Sequence, residues 1–250
     1  MMPIHTDEEG LDARTVNLPA GGIDLPAYQA MPARGASFPV VVVVHEIFGV
    51  NDHIQDVCRR LAKLGYLALA PDLFRRQGDT TGMTEFRDIY DKVVSRVSDE
   101  QVMADLDAAV DFAVHGRGDT GRLGLIGFSW GGRIAWLYAA RTDRLKAAVA
   151  WYGRLAGEAD ALHRRHPMDV AGRLCSPVLG LYGGRDQSIP LEQVSRMRAV
   201  LARAGKNAEI VVYPDAGHAF HADYRPTYNE TAARDGWTRM REWFRQYGVV

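Results

Sequence analysis

The sequence has few residues that could hold a metal or a disulfide framework. Only two of its 250 residues are cysteine, and Cys58 and Cys175 lack the spacing of a zinc site or a CxxC redox motif. We therefore expect two buried structural thiols. A long hydrophobic run is also missing, since the longest, five valines at 40–44, is far too short to cross a bilayer.

The chain has no excess of charge of either sign, because 30 lysines and arginines face 31 aspartates and glutamates for a formal net charge of −1. This balance lacks the positive excess that nucleic-acid or anionic-membrane binding requires. The opening MMPIHTDEEG is acidic, whereas a signal peptide is basic and then apolar. We expect a cytoplasmic monomer whose partner is a small molecule.

No repeat, low-complexity tract or linker-like stretch divides the chain, which predicts one domain over residues 1–250. Apolar runs without polar alternation are typical of strands buried on both faces of a parallel sheet. Such runs lie at 40–44, 66–70, 123–127, 145–151, 177–182 and 208–213. Amphipathic stretches that suit the connecting helices lie at 52–64, 85–114, 131–141, 190–204 and 229–246.

The N-terminal region predicts a different element. The segment TVNLPAGGIDLPAYQAM has two extended stretches joined at Gly21-Gly22, a turn that favours an antiparallel edge hairpin. Together these patterns predict an α/β fold with a mostly parallel, doubly wound sheet. In such sheets the functional sites collect at the carboxyl ends of the strands.

Ser129 lies at one of these strand ends, in the G-x-S-x-G sequence GFSWG at 127–131. A serine on a tight strand-to-helix turn points its hydroxyl above the sheet, and small neighbours are needed because the turn leaves no room for side chains. A helix N-cap would also suit a serine here. A cap alone, however, does not require Gly127, Gly131 and Gly132 together, so we interpret Ser129 as a nucleophile.

A serine nucleophile needs a base and an acid that orients the base, and in this architecture they follow the serine in the order acid, then histidine. Asp186 follows the predicted strand at 177–182, and His218 follows the one at 208–213. An aspartate there could also cap the next helix, and a histidine could be an ordinary loop residue. Their order and positions favour a triad with Ser129.

The HEIFG segment at 45–49 follows the first buried strand and neighbours the serine turn. Acyl transfer needs two backbone N–H groups to receive the developing oxyanion, one after the nucleophile and one from this loop. We assign them to Trp130 and Ile47. His45 has the best claim to chemistry among the other histidines, while His163 and His166 lack a third ligand at metal spacing. We therefore expect neither a metal nor a cofactor.

The sequence resembles the dienelactone hydrolases, or carboxymethylenebutenolidases, of the α/β-hydrolase fold. The resemblance covers nearly the whole chain. It is carried by HEIFG at 45–49, GYLALAPDLF at 65–74, GFSWGG at 127–132, YGGRD at 182–186 and YPDAGHAF at 213–220.

The resemblance implies metal-free hydrolysis of a small lactone or ester through an acyl-enzyme, with Ser129, Asp186 and His218 in the triad positions. It also implies that Glu46 lies beside the resting nucleophile and helps to activate it when substrate enters. In the family, two arginines hold the substrate carboxylate. Arg76 matches the first of these positions.

Two features depart from the family pattern. Its better-known members carry cysteine where this chain has Ser129, and the second arginine position is Ala222. His221 or Arg225 could replace that arginine. Arginines are usually solvated surface charges, however, and this alternative stays open for Arg76 and Arg225 alike.

Large caps in this fold are normally inserted after the strand that ends near Trp151, and the sequence there predicts only a short connection. We therefore expect no large cap and a small, open pocket. A broad carboxylesterase on the same machinery is the alternative function. A third possibility is a variant that traps its ligand because a serine has replaced a cysteine nucleophile.

Overall fold

The computed structural model describes residues 3–250. Its eight strands form one sheet in the order β1-β2-β4-β3-β5-β6-β7-β8. The strands are β1 (Leu11–Ala20), β2 (Ile23–Pro32), β3 (Phe38–Val44), β4 (Leu67–Pro71), β5 (Gly118–Phe128), β6 (Ala147–Trp151), β7 (Val178–Gly183) and β8 (Ala208–Tyr213). Each predicted apolar run is thus a strand, shifted by a few residues at its ends.

Strands β1 and β2 form the predicted antiparallel hairpin, and β2 also pairs antiparallel with β4. The turn between them is Gly21-Gly22, and both glycines have positive φ, 54° and 84°. Two successive positive φ values are what a two-residue hairpin turn with the strand twist requires, and glycine adopts them without a steric penalty. The hairpin prediction is confirmed.

Neighbouring strands from β4 through β8 in the sheet order are parallel. The five valines at 40–44 are fully buried in the second strand of this parallel part, β3. Burial on both faces explains why the run has no polar alternation. The sheet is therefore mixed, with its antiparallel part confined to the N-terminal edge as predicted.

The helices are α1 (Asp52–Lys63), α2 (Phe86–Lys92), α3 (Asp99–His115), α4 (Trp130–Arg141), α5 (Pro167–Val170), α6 (Leu191–Arg203) and α7 (Glu230–Gln246). The helix predicted over 85–114 is two helices. Its pattern breaks at a 3-10 turn over 94–96, and Ser98 then caps α3 by accepting a hydrogen bond from the Gln101 N–H at 3.1 Å.

Two long connecting segments lie at the carboxyl ends of the parallel strands. One is the segment 72–98, which contains α2, and the other is the loop 152–166, which has no helix or strand. The short α5 follows this loop and was not predicted.

No cap domain is inserted after β6, as expected. Cys58 is buried, but the prediction of a buried thiol is wrong for Cys175, which is exposed in the turn before β7.

Candidate active site

Ser129 occupies the turn between β5 and α4 with φ 52° and ψ −109°. A residue with a side chain adopts such a conformation at a cost of about 1–3 kcal/mol, and it persists only where the surroundings hold it. Here the Ser129 N–H donates to the Trp151 carbonyl at the end of β6, at 2.9 Å. The strained turn is therefore fixed to the neighbouring strand.

The glycines of the motif are required because two backbones lie against each other. A Cβ at Gly127 would overlap the carbonyl oxygen of Gly131, and a Cβ at Gly131 would overlap the carbonyl of Val44 and lie 2.6 Å from that of His45. The first turn of α4 thus lies directly on the ends of β3 and β5. The spacing of the motif follows from these contacts.

The three side chains predicted as a triad form one hydrogen-bonded chain. Ser129 Oγ lies 2.9 Å from His218 Nε2, and His218 Nδ1 lies 2.7 Å from Asp186 Oδ2. Because a carboxylate only accepts, Nδ1 carries the proton, and Nε2 is left to accept from the serine hydroxyl. This is the tautomer that a general base needs.

Asp186 is held by its own loop. Its Oδ1 accepts the backbone N–H groups of Ser188 at 2.8 Å and Ile189 at 3.1 Å, while Oδ2 faces His218. The Asp186 side chain is fully buried, whereas that of His218 is 27% exposed. The carboxylate is therefore fixed in the protein, and the imidazole is open to a ligand.

His45 holds the HEIFG segment in place. Its Nδ1 lies 2.6 Å from the Glu46 carbonyl, and its Nε2 accepts the Leu73 N–H at 3.1 Å. Burial lowers the pKa of His45, which favours the neutral ring that this pair of contacts needs. His45, the histidine that the sequence favoured for chemistry, thus supports the loop. Ile47, two residues further along, lines a cavity with Ser129 and Trp130.

Glu46 lies on the same cavity and is only 1% exposed. Its Oε2 accepts the Tyr224 hydroxyl at 2.9 Å. Burial, followed by the neighbouring Glu46 carboxylate, raises the pKa of Tyr224, so this phenol stays a donor. The other carboxylate oxygen, Oε1, has no hydrogen-bond partner among residues 3–250.

The cavity has a volume of about 610 Å³ and is bordered by the HEIFG loop, α2 and the loop 152–166. Phe86 and Tyr90 of α2 contribute to its lining and are exposed. Arg225 also lines it and places its guanidinium 5.5 Å from the centre of the Phe48 ring. A volume of this size is typical of small-molecule sites.

The structure does not bring Arg76 to this cavity. Its guanidinium pairs with Asp105 of α3 and donates to the Ala20 carbonyl at 2.7 Å, beside the N-terminal hairpin. Arg76, predicted to hold a substrate carboxylate, is therefore not among the residues that line the cavity, whereas Arg225 is.

His221 is also outside the cavity lining. It is 3% exposed, and its ring packs against Trp151 at 4.6 Å and Phe128 at 5.2 Å between ring centres. Burial holds the pKa of His221 well below its usual range. The structure therefore places His221 in an aromatic cluster and does not bring it to the cavity that contains Ser129.

Sequence reasoning missed Tyr152, which lines the cavity at the end of β6. It is fully buried, adopts φ 39°, and its ring centre lies 5.4 Å from that of His218. The sequence offered one signal for Tyr152, since this tyrosine directly follows the buried strand beside the nucleophile strand. Its strained backbone is visible only in three dimensions.

Within residues 3–250 the structure brings together no group of three or more His, Cys, Asp or Glu side chains suited to a metal ion. In the same part of the chain, each helix is too short or too polar to cross a membrane.

Similar sequences show to which protein family the chain belongs. Residues 25–248 match the model of the dienelactone hydrolase family. A Methylorubrum extorquens protein named carboxymethylenebutenolidase is 59% identical over 248 residues, which cover 99% of this chain and 85% of that protein. A Salmonella typhimurium protein of the same name is 54% identical, with 98% of this chain and 91% of that one covered.

Solved structures agree with this match. A Klebsiella pneumoniae structure named dienelactone hydrolase superposes with a TM-score of 0.93 at 52% identity, and covers 95% of this chain and 99% of that one. A dienelactone hydrolase-like promiscuous phosphotriesterase from metagenomic libraries gives 0.79 at 26% identity, with 95% and 99% covered. The chain belongs to the dienelactone hydrolase family of α/β-hydrolases and is a hydrolase of carboxylic esters or lactones.

Proposed function

We propose that this enzyme hydrolyses a small lactone or ester through a covalent acyl-enzyme on Ser129. The observation that carries the proposal is the hydrogen-bonded chain from Asp186 through His218 to Ser129, which opens onto a cavity of about 610 Å³. We also propose that the chain acts as a single domain and that the reaction needs neither a metal nor a cofactor.

In the first half of the reaction, His218 Nε2 takes the proton of Ser129 Oγ as that oxygen attacks the substrate carbonyl. The carbonyl oxygen becomes negative and is received by the backbone N–H groups of Ile47 and Trp130. His218 then protonates the leaving oxygen, and the acyl group stays on Ser129. In the second half a water molecule attacks this ester and regenerates the serine.

We propose Arg225 as the group that recognises a carboxylate on the substrate. It lines the cavity, and its guanidinium has no carboxylate within ion-pair distance among residues 3–250. A charge-assisted contact from arginine to carboxylate is worth about 1.5–3 kcal/mol. In this proposal Arg225, and not Arg76, binds the substrate carboxylate.

The test of this role is Arg225→Ala, which we expect to raise KM for an acidic lactone about tenfold or more. A neutral ester of similar size should change less than twofold, because it lacks the charge that arginine binds. Arg141→Ala, which removes a surface arginine paired with Asp107, is the matched control and should leave both substrates unaffected. Equal changes for both substrates would instead assign Arg225 a packing role against Phe48.

A second proposal concerns the nucleophile itself. A thiol has an ordinary pKa of about 8.5 and can be deprotonated by a carboxylate and a histidine together, whereas an alkoxide is far harder to form. Glu46, buried on the cavity wall, is a group that a serine triad does not need for acylation. We propose that the site is arranged for cysteine and that Ser129 replaces one.

If so, Ser129→Cys should raise kcat/KM on a dienelactone-type substrate at least tenfold, a change of about 1.4 kcal/mol in the barrier. Glu46→Gln should lower this value more in the cysteine form than in the serine form. The four proteins of the cycle are compared on one lactone by kcat/KM. A serine enzyme that equals its cysteine variant, with no effect of Glu46→Gln on kcat/KM in either, would mean that the site was built for serine.

A further inference from the structure

Two buried polar atoms on the cavity wall lack hydrogen-bond partners among residues 3–250. They are Oε1 of Glu46 and the hydroxyl oxygen of Tyr152. Glu46 is 1% exposed and Tyr152 is fully buried, and both line the cavity that contains Ser129 and His218. A buried polar group without a partner is energetically costly, so a pair of them in an active site indicates a ligand that completes both.

The backbone holds Tyr152 in this place at a further cost. Its φ of 39° lies in the left-handed region, which is strained for a residue with a large side chain. The Tyr152 N–H donates to the Leu181 carbonyl of β7 at 2.7 Å, and the preceding Trp151 carbonyl accepts the Ser129 N–H. The strained tyrosine and the strained serine are thus fixed by the same strand end.

The two unpartnered groups have defined hydrogen-bonding roles. Burial, followed by the Glu46 carboxylate that the hydroxyl faces, raises the pKa of Tyr152 well above its usual range, so the phenol keeps its proton. Glu46 Oε1 belongs to a carboxylate and only accepts. A ligand that contacts both groups therefore offers a hydrogen to Glu46 Oε1 and a lone pair to the Tyr152 hydroxyl.

The chemistry of the second half-reaction selects the ligand. Water has two hydrogens and two lone pairs, and it can give one hydrogen to His218 Nε2 and the other to Glu46 while it accepts from Tyr152. Its remaining lone pair is then free to attack the acyl carbon. The alkoxide that leaves in the first half-reaction fits the pair less well than water. It has no hydrogen to donate to Glu46, and the Glu46 carboxylate would repel its negative charge.

We propose that Glu46 Oε1 and the Tyr152 hydroxyl bind the water that hydrolyses the acyl-enzyme. This inference rests on the proposed acyl-enzyme mechanism. In the step, the water oxygen forms a bond to the acyl carbon and one water proton passes to His218 Nε2. The bond from the acyl carbon to Ser129 Oγ then breaks, His218 returns the proton to Oγ, and the acid leaves.

The first test separates the two half-reactions by stopped flow with 4-nitrophenyl acetate, whose nitrophenolate reports acylation. Tyr152→Phe should slow deacylation about tenfold and change the acylation rate constant less than twofold, so the burst of nitrophenolate becomes more pronounced. The burst amplitude also counts folded active sites. Tyr66→Phe is the matched control, because it removes another buried tyrosine hydroxyl, one that donates to the Val249 carbonyl.

The second test uses methanol, which has only one hydroxyl hydrogen and cannot serve His218 and Glu46 at once. In wild type the acyl group should pass to water in preference to methanol, and Glu46→Gln should reduce this preference about fivefold. The ratio of acetate to methyl acetate, measured by proton NMR, gives the preference independently of which step limits the overall rate.

The outcomes separate this inference from the function on which it rests. Unchanged deacylation in Tyr152→Phe, an equal loss in both half-reactions, or an unchanged product ratio in Glu46→Gln would overturn the assignment of the water site. A wild-type enzyme that forms no acyl-enzyme would instead contradict the proposed mechanism.

Discussion

Replacement of Ser129 by alanine is expected to lower kcat about 10⁴-fold or more, which corresponds to at least about 5.4 kcal/mol in the barrier. The reason is that Ser129 Oγ supplies the bond to the acyl group, and no other hydroxyl accepts or donates to His218 Nε2 in the hydrogen bonds of residues 3–250. His218→Ala should cause a comparable loss, because the serine then lacks its base. The measurement is kcat on a short 4-nitrophenyl ester.

The losses should not add, because the two residues share one step. The double variant Ser129→Ala/His218→Ala is therefore expected to be no slower than either single variant. Asp186→Asn should lower kcat by the same factor or less, because it leaves Ser129 and His218 in place and disturbs only the tautomer of His218. Wild-type turnover by Ser129→Ala would contradict the assignment.

Ser176→Ala is the matched control for the loss of a serine hydroxyl. Ser176 is buried, donates to the Thr142 carbonyl at 3.2 Å and lies before β7, away from the cavity lining. Its removal should cost about 1 kcal/mol of folding free energy and leave kcat unchanged. Thermal unfolding of both variants separates a loss of chemistry from a loss of fold.

Much of the fold could be predicted because the strands of its parallel part are buried on both faces. Burial of this kind leaves a simple trace in the sequence, an apolar run such as the five valines of β3. The order of the predicted triad could be read for a similar reason, since each residue follows such a run. The break between α2 and α3 was harder to predict, because the sequence over 85–114 has one continuous amphipathic pattern, although a 3-10 turn at 94–96 interrupts it.

The directions of side chains on loops could not be predicted. Arg76 lies in the loop that the family resemblance indicates, but its direction is decided by Asp105, a buried carboxylate 29 positions away. His221 follows His218 by three residues and is turned into an aromatic cluster. In both cases a tertiary contact decides the direction, and the local sequence contains no trace of it.

Tyr152 and Glu46 illustrate a further limit. Their hydroxyl and carboxylate are informative because they lack partners, and a missing partner is a property of the folded site alone. The sequence could indicate that Glu46 follows β3, but it could not indicate that one of its oxygens would be satisfied by Tyr224 and the other left open. Such conflicts between local cost and global fold are expected where function is located.

The second large effect is expected from Gly131→Ala, in the first turn of α4. In an exposed helix this change stabilises by about 1 kcal/mol, because alanine has the better helix propensity. Here the new methyl group would overlap the Val44 carbonyl and lie 2.6 Å from that of His45, and backbone atoms cannot turn aside as a flexible side chain can. The steric term should therefore win, with a net loss of about 3 kcal/mol.

For a chain of this size, that loss corresponds to a fall in Tm of about 6–12 °C. Activity should fall about 100-fold as well, because the helix must move away from β3 and carries Ser129 and Trp130 with it by a distance approaching 1 Å. Gly172→Ala is the matched control, since its nearest new contact is Ala204 Cβ at an ordinary 3.8 Å. If Gly131→Ala were as stable and active as Gly172→Ala, the close approach of α4 to β3 would not be what positions the nucleophile.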